Sequence, residues 1–359
     1  MLVLVLIACK PETAEKPADG LRVERLELRS DAEGTLVVPV ELFEDEVFQV
    51  VAGTKRGYLS TDYVVSPSGD LAFDWEDWYD GSRSLTEAVW PTEFATTINW
   101  PVLRSDRALD AGEWAVHVAT LNDALEYVGD KEVSVDVLIR QAAPSGTLPV
   151  VVAYAGDLAD DTVVVDGVEA AVAYWVELYA AIGVGLDVSY RTIDTDADLP
   201  DTYLGLDAVE ALMGSLDPRA TLMVVGESIA GDADYLYGEA GGIPGPFAAQ
   251  PHAAVFVSWL ANAGGDAAFD DEDILLFGET MAHEMGHYLG LFHPVEDGWD
   301  AWDAVADTPD CSATGDCEDE LGDNLMFPYP VCSARACVRQ SVLTEIQGGV
   351  VQGYIGVQP

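Results

Sequence analysis

One string constrains this chain more than any other: HEMGHYLGLFH, running from His283 to His293. The chain has only five histidines, and three of them fall here. Just upstream, FDDED (Phe269 to Asp273) supplies an Asp N-cap and acids for the first turn of a helix, where the helix dipole favours negative charge. Ile274, Phe277, Met281, Met285 and Tyr288 then recur every three or four residues, a stripe that buries one helix face. At about 100° per residue, His283 and His287 lie on the other side. Gly290 ends the helix and permits the positive φ of a sharp turn, from which His293 can fold back.

Two imidazoles one turn apart and a third returning past the glycine match the donor set of a zinc ion, with the fourth position left for water. Glu284, adjacent to the first ligand, is placed to take a proton from that water as it attacks a carbonyl. Bare HExxH strings arise by accident; the extended string with its glycine and third histidine does not. Metal-ligand roles therefore fall to His283, His287 and His293, and the general-base role to Glu284.

The rest of the composition sets the environment. The net charge is −48, from 64 acids against 16 basic residues, which excludes nucleic acid as a partner. The acidity is uneven: residues 1–145 hold 12 basic and 27 acidic side chains, and 146–359 hold 4 and 37. With 49% hydrophobic residues the chain is expected to fold, and its length suggests two domains. Residues 1–9, MLVLVLIAC, resemble the lipobox of bacterial lipoprotein signals, with Cys9 as the lipidated residue and 10–20 as a polar linker. The expectation is an exported protein, lipid-anchored at the bacterial envelope or secreted, meeting the membrane through the anchor alone. The other cysteines, Cys311, Cys317, Cys332 and Cys337, read as two disulfides with three pairings open. A structural zinc site is a poorer match to their spacing.

Residues 21–141 carry short alternating segments (21–28, 36–42, 47–52, 114–119 and 133–139) between turn signals, predicting a β-sandwich. Within them FDWEDWYDG, Phe73 to Gly81, reads as aromatics packing a sandwich edge in preference to a sugar or calcium loop. After a linker at 141–147, residues 148–359 read as α+β. Strands are expected at 148–154, 186–193, 221–226 and 252–259, with helices at 166–182, capped by Asp166, and at 206–216.

The motifs together resemble the metzincin metallopeptidases, and within that clan the pappalysin and cytophagalysin family. Beyond the histidine string, the likeness rests on Asp307-Thr308-Pro309 before Cys311, on Asp323-Asn324-Leu325-Met326, and on Leu343-Thr344-Glu345-Ile346-Gln347. It covers 148–359, most strongly from 270 onward. The resemblance implies a zincin-type catalytic domain of mixed sheet, active-site helix and Met-turn, with Met326 supporting the metal from beneath. It also implies an edge strand, taken as 252–259, that pairs with extended substrate. The family's oxyanion tyrosine stands two residues after the methionine; here Tyr329 comes third, after Pro328. Some relatives bind calcium, for which the acids between Glu296 and Asp323 offer oxygen ligands without an ordered spacing. The propeptide cysteine that keeps some relatives latent has only Cys9 as a counterpart.

The sequence thus predicts a zinc-dependent endopeptidase acting on protein or peptide substrates, with basic residues favoured near the scissile bond; it leaves the oligomeric state open, a monomer being the default. The competing expectations are a catalytically silent surface-binding or adhesion lipoprotein that keeps zinc for structure, and a zinc enzyme acting on a non-peptide amide or cell-wall material.

Overall fold

A computed structural model describes residues 20–78, 84–103, 109–142, 145–202, 204–214, 219–230, 236–264, 269–332 and 337–358. The signal and Cys9, most of the 10–20 linker, and the end of the Phe73 to Gly81 segment lie outside them.

The N-terminal region is built from β1 (Arg22–Arg29), β2 (Thr35–Leu42), β3 (Glu46–Val65), β4 (Leu71–Asp74), β5 (Thr92–Trp100), β6 (Gly112–Leu121) and β7 (Glu132–Gln141). The 20-residue β3 organises them. Its first half pairs with β7 on one side and β5 on the other; past an irregularity between Gly53 and Tyr58, its second half pairs with β6 and β4. Residues of all these strands meet in one core that includes Val38, Phe48, Trp100, Trp114 and Val137, with Leu26 and Leu28 of β1 packed against it from the side. β4 and β5 fall in stretches that the alternation argument passed over. Of the aromatics expected to pack a sandwich edge, Phe73, in β4, is buried edge-on against Trp100, whereas Trp75 is 38% exposed.

The second region contains β8 (Gly146–Ala155), α1 (Thr162–Ala181), β9 (Val184–Ile193), α2 (Leu206–Met213), β10 (Thr221–Gly226), β11 (Gly238–Ala240), β12 (Val255–Ser258), α3 (Asp271–Tyr288), α4 (Thr314–Leu321) and α5 (Glu345–Gly353). Its sheet runs β9-β8-β10-β12-β11, parallel except for β11 at the edge. Two expectations are corrected. Helix α1 begins earlier and is capped by Asp161, whose side chain accepts from Val163 N–H, so Asp166 lies inside it. The β-branched run Val163-Val164-Val165 looks like strand in sequence, but Val164 is buried in the core, and packing overrides propensity. The free edge is not 252–259: among the described residues β12 is interior, and the edge is β11, whose Gly-Glu-Ala sequence carries no strand signal.

The two regions share one core. Leu21, Val47, Val51 and Leu138 pack with the residues of β8, β10 and α3. Arg140 in β7 is 2% exposed and donates to the carbonyls of Gln352, Tyr354 and Ile355 at the end of the chain. Among the described residues, no helix is long and apolar enough to cross a membrane.

Candidate metal centre

Helix α3 starts on a capping box: Asp270 accepts from the N–H groups of Glu272 and Asp273, and Asp273 accepts in return from Asp270 N–H. Phe277, Met281, Met285 and Tyr288 face the core as their spacing predicts, and Tyr179 of α1 anchors the helix by donating to the Ala282 carbonyl at 2.9 Å. The helix closes at Tyr288, and Gly290 follows with φ +113°. That turn returns His293 to the other two imidazoles.

The three rings converge. Nε2 of His293 lies 3.2 Å from Nε2 of His283 and 3.1 Å from Nε2 of His287. These are not hydrogen bonds, because each ring spends its proton on the other nitrogen. Nδ1 of His283 donates to the Leu325 carbonyl at 2.7 Å, Nδ1 of His287 to the Leu291 carbonyl at 2.7 Å, and Nδ1 of His293 to Glu296 Oε2 at 3.0 Å. Three Nε2 lone pairs are thereby aimed at one point. Nitrogens bound tetrahedrally at about 2.0–2.1 Å stand roughly 3.3 Å apart, so the donor set fits zinc. Burial and the neighbouring imidazoles push His283 down to about 3 and His287 well below its ordinary value, keeping both neutral, as metal ligands must be. Among the described residues this is the one cluster of His, Cys, Asp or Glu gathered closely enough to hold a metal.

Glu284 sits between α3 and the edge strand β11. A Cβ added at Gly238 would stand 2.4 Å from Glu284 Cγ and 3.1 Å from its Oε1, so only glycine lets the strand pass this close to the carboxyl. Burial, and next the nearby Glu239, raise Glu284 to about 8. A cation at the imidazole nitrogens would draw it back toward the ionised form.

Beneath the helix, the three motif segments assemble. Met326 is fully buried, its Sδ 2.5 Å from where a Cβ on Gly286 would lie. Asn324 Oδ1 accepts from Met326 N–H and its Nδ2 donates to Gln347 Oε1, each at 2.9 Å. Asp307 accepts from Thr344 Oγ1 and Ile346 N–H at the start of α5. Tyr329 lines the cleft beside His283 and Glu284, but its hydroxyl donates to Glu318 Oε1 at 3.1 Å. The cysteines pair sequentially, Cys311 with Cys317 and Cys332 with Cys337. Several acids of the 296–323 stretch have protein partners: Glu296 on His293, Asp303 on Thr308, Asp307 on α5 and Glu318 on Tyr329.

Sequence reasoning missed the supports of the imidazoles. The Leu325 and Leu291 carbonyls are main-chain atoms without a side-chain signature, and Glu296 is hidden in an excess of acids. The one signal available was the placement of Glu296 three residues after His293.

No protein-family model and no curated protein matches the chain. Among solved structures, it is similar to archaemetzincin from Methanopyrus kandleri, at 13% identity and a TM-score of 0.28, over 42% of this chain and 77% of that one. It is also similar to metalloproteinase-II from Bacteroides fragilis, at 11% identity and a TM-score of 0.32, over 61% of this chain and 62% of that one.

Proposed function

We propose that the protein is a zinc-dependent endopeptidase of metzincin type. The observation that carries this is the convergence of three imidazoles, each with its Nδ1 on an oxygen acceptor, beside a carboxyl that faces an open strand edge. Zinc held there supplies a Lewis acid that polarises a carbonyl and acidifies a water.

The residues of the chain do the rest. The main chain of β11 offers its free edge to an extended peptide, which would add as a further strand. That lays the scissile carbonyl across the imidazoles, next to Glu284. Glu284 accepts a proton from the attacking water and delivers it to the departing amine. The cleft between α3 and the 327–330 segment, walled by Leu276, Thr280, Pro328 and Tyr329, receives a substrate side chain. Met326 supports the centre from below as the Met-turn residue. Tyr329, tied to Glu318, is a wall of the cleft in this state and reaches an oxyanion only if that bond opens.

The test is metal analysis paired with a chelator-sensitive cleavage assay. One zinc per chain together with cleavage of casein or a peptide mixture, lost on chelation, is the expected result. Stoichiometric zinc without cleavage of any peptide would replace this reading with the silent binding lipoprotein.

A further inference from the structure

The three ligands are not held equally. His283 and His287 ride on an 18-residue helix with a buried face, whereas His293 stands outside regular structure with 21% of its side chain exposed, and its acceptor Glu296 is more exposed still. The start of the 289–293 turn is tied to the helix by Leu291 N–H on the Gly286 carbonyl and buried through Leu289 and Leu291, which leaves the Phe292–His293 end to be held from elsewhere.

The N-terminal region reaches it twice. Thr86–Trp90 is a tight turn in which Thr86, fully buried, accepts from Ala88 N–H, and Ser84 Oγ donates to the Thr86 carbonyl. Glu87 takes both main-chain groups of Ile243: its N–H donates to the Ile243 carbonyl at 2.6 Å, and its Oε2 accepts from Ile243 N–H at 2.9 Å. Ile243 opens the Pro244–Pro246 loop, which packs on the end of α3. Gly245 N–H donates to the Tyr288 carbonyl, Tyr288 Oη donates to the Pro246 carbonyl, and Pro244 Cβ lies 3.9 Å from where a Cβ on Gly290 would be. Three residues beyond Glu87, Trp90 meets Phe292 edge to face, ring centroids 5.9 Å apart and planes at 76°. Phe292 is the residue before His293.

We propose that the Thr86–Trp90 turn is a brace for the third metal ligand: Glu87 through Ile243, and Trp90 through Phe292, hold the turn that carries His293. The inference rests on the zinc reading. It makes Glu87 and Trp90 positioning residues and makes the N-terminal region a part of the metal centre. A ligand held loosely spends more time dissociated, so loss of the brace speeds zinc escape without changing any donor atom.

The experiment uses the full chain loaded with zinc and follows transfer of the metal to an excess of chromogenic chelator. Trp90→Ala and Glu87→Ala are expected to release zinc about tenfold faster, at the low end of the effect of residues that support metal ligands. Trp90→Phe, which keeps an edge-to-face ring, and Glu87→Gln, which keeps an acceptor for Ile243 N–H, are expected to restore retention. Should Trp90→Ala not fold, Phe292→Leu asks the same question from the other side of the contact. Wild-type release rates in the folded alanine variants, or a phenylalanine variant no better than alanine, overturn the brace while leaving the zinc reading intact. A wild-type protein that takes up no zinc overturns both.

Discussion

The Leu325 carbonyl accepts the Nδ1 proton of His283 at 2.7 Å, joining residues 42 positions apart in the chain. The turn that supplies this carbonyl is itself tied down, by Leu325 N–H on the Val342 carbonyl and by Asn324 on Gln347. Orientation of the His283 ring therefore depends on packing beneath the helix as well as on the helix itself.

Gly286→Ala tests that dependence. A methyl there would stand 2.5 Å from Met326 Sδ and push the turn away from α3. We expect a loss of about 1–3 kcal/mol in stability, as for overpacking elsewhere, and zinc affinity lowered by about tenfold or more, as when a supporting partner of a ligand is lost. Chemical denaturation and a competitive zinc titration measure the two effects. Unchanged affinity would show that the turn does not govern His283.

Glu284→Gln separates binding from turnover. The variant keeps all three imidazoles and should bind one zinc per chain, while kcat falls by about 10²–10⁴-fold, the range for loss of a general base. Cleavage at the wild-type rate would remove Glu284 from the mechanism.

His293→Ala removes one of three donors, and the expected outcome is loss of stoichiometric zinc at neutral pH and of all chelator-sensitive cleavage. Equilibrium dialysis followed by metal analysis gives the first result, and a peptide assay the second.

Glu279 makes stability depend on pH. It is 3% exposed, and burial raises it to about 7, a shift held back by Arg339 at 3.6 Å and by Tyr174. A carboxyl raised above its unfolded value binds its proton more tightly in the folded state. Its stabilising contribution is complete below the unfolded value near 4.5 and is lost as pH rises through about 7. Glu279→Gln, neutral throughout, should flatten the fall in stability across that window by about 1–3 kcal/mol. Parallel slopes for the two proteins in urea titrations from pH 4.5 to 7.5 would refute the assignment.

The gathering of the three histidines was legible because side chains carry it: an N-cap, an apolar stripe, histidines one turn apart and a glycine at the stop. Strand β11 was not, since Gly238 and Glu239 are there for the room and charge they give Glu284, and neither favours a strand. Helix α1 misled at its start because Val163, Val164 and Val165 favour strand in sequence, whereas the helix they form buries Val164 and leaves Val163 in solvent. The pairing of the cysteines is a choice among three that spacing does not make. The Glu87 contact with Ile243 joins positions 156 apart through the main chain of Ile243, where no local pattern announces it.

The shared core has a thermodynamic consequence. With Leu138 and Val51 seated among the residues of β8 and α3, and Arg140 holding the Tyr354 and Ile355 carbonyls, neither region can unfold without uncovering apolar surface and orphaning buried polar groups of the other. The chain should therefore melt as one cooperative unit, giving a single calorimetric endotherm whose van't Hoff and calorimetric enthalpies agree.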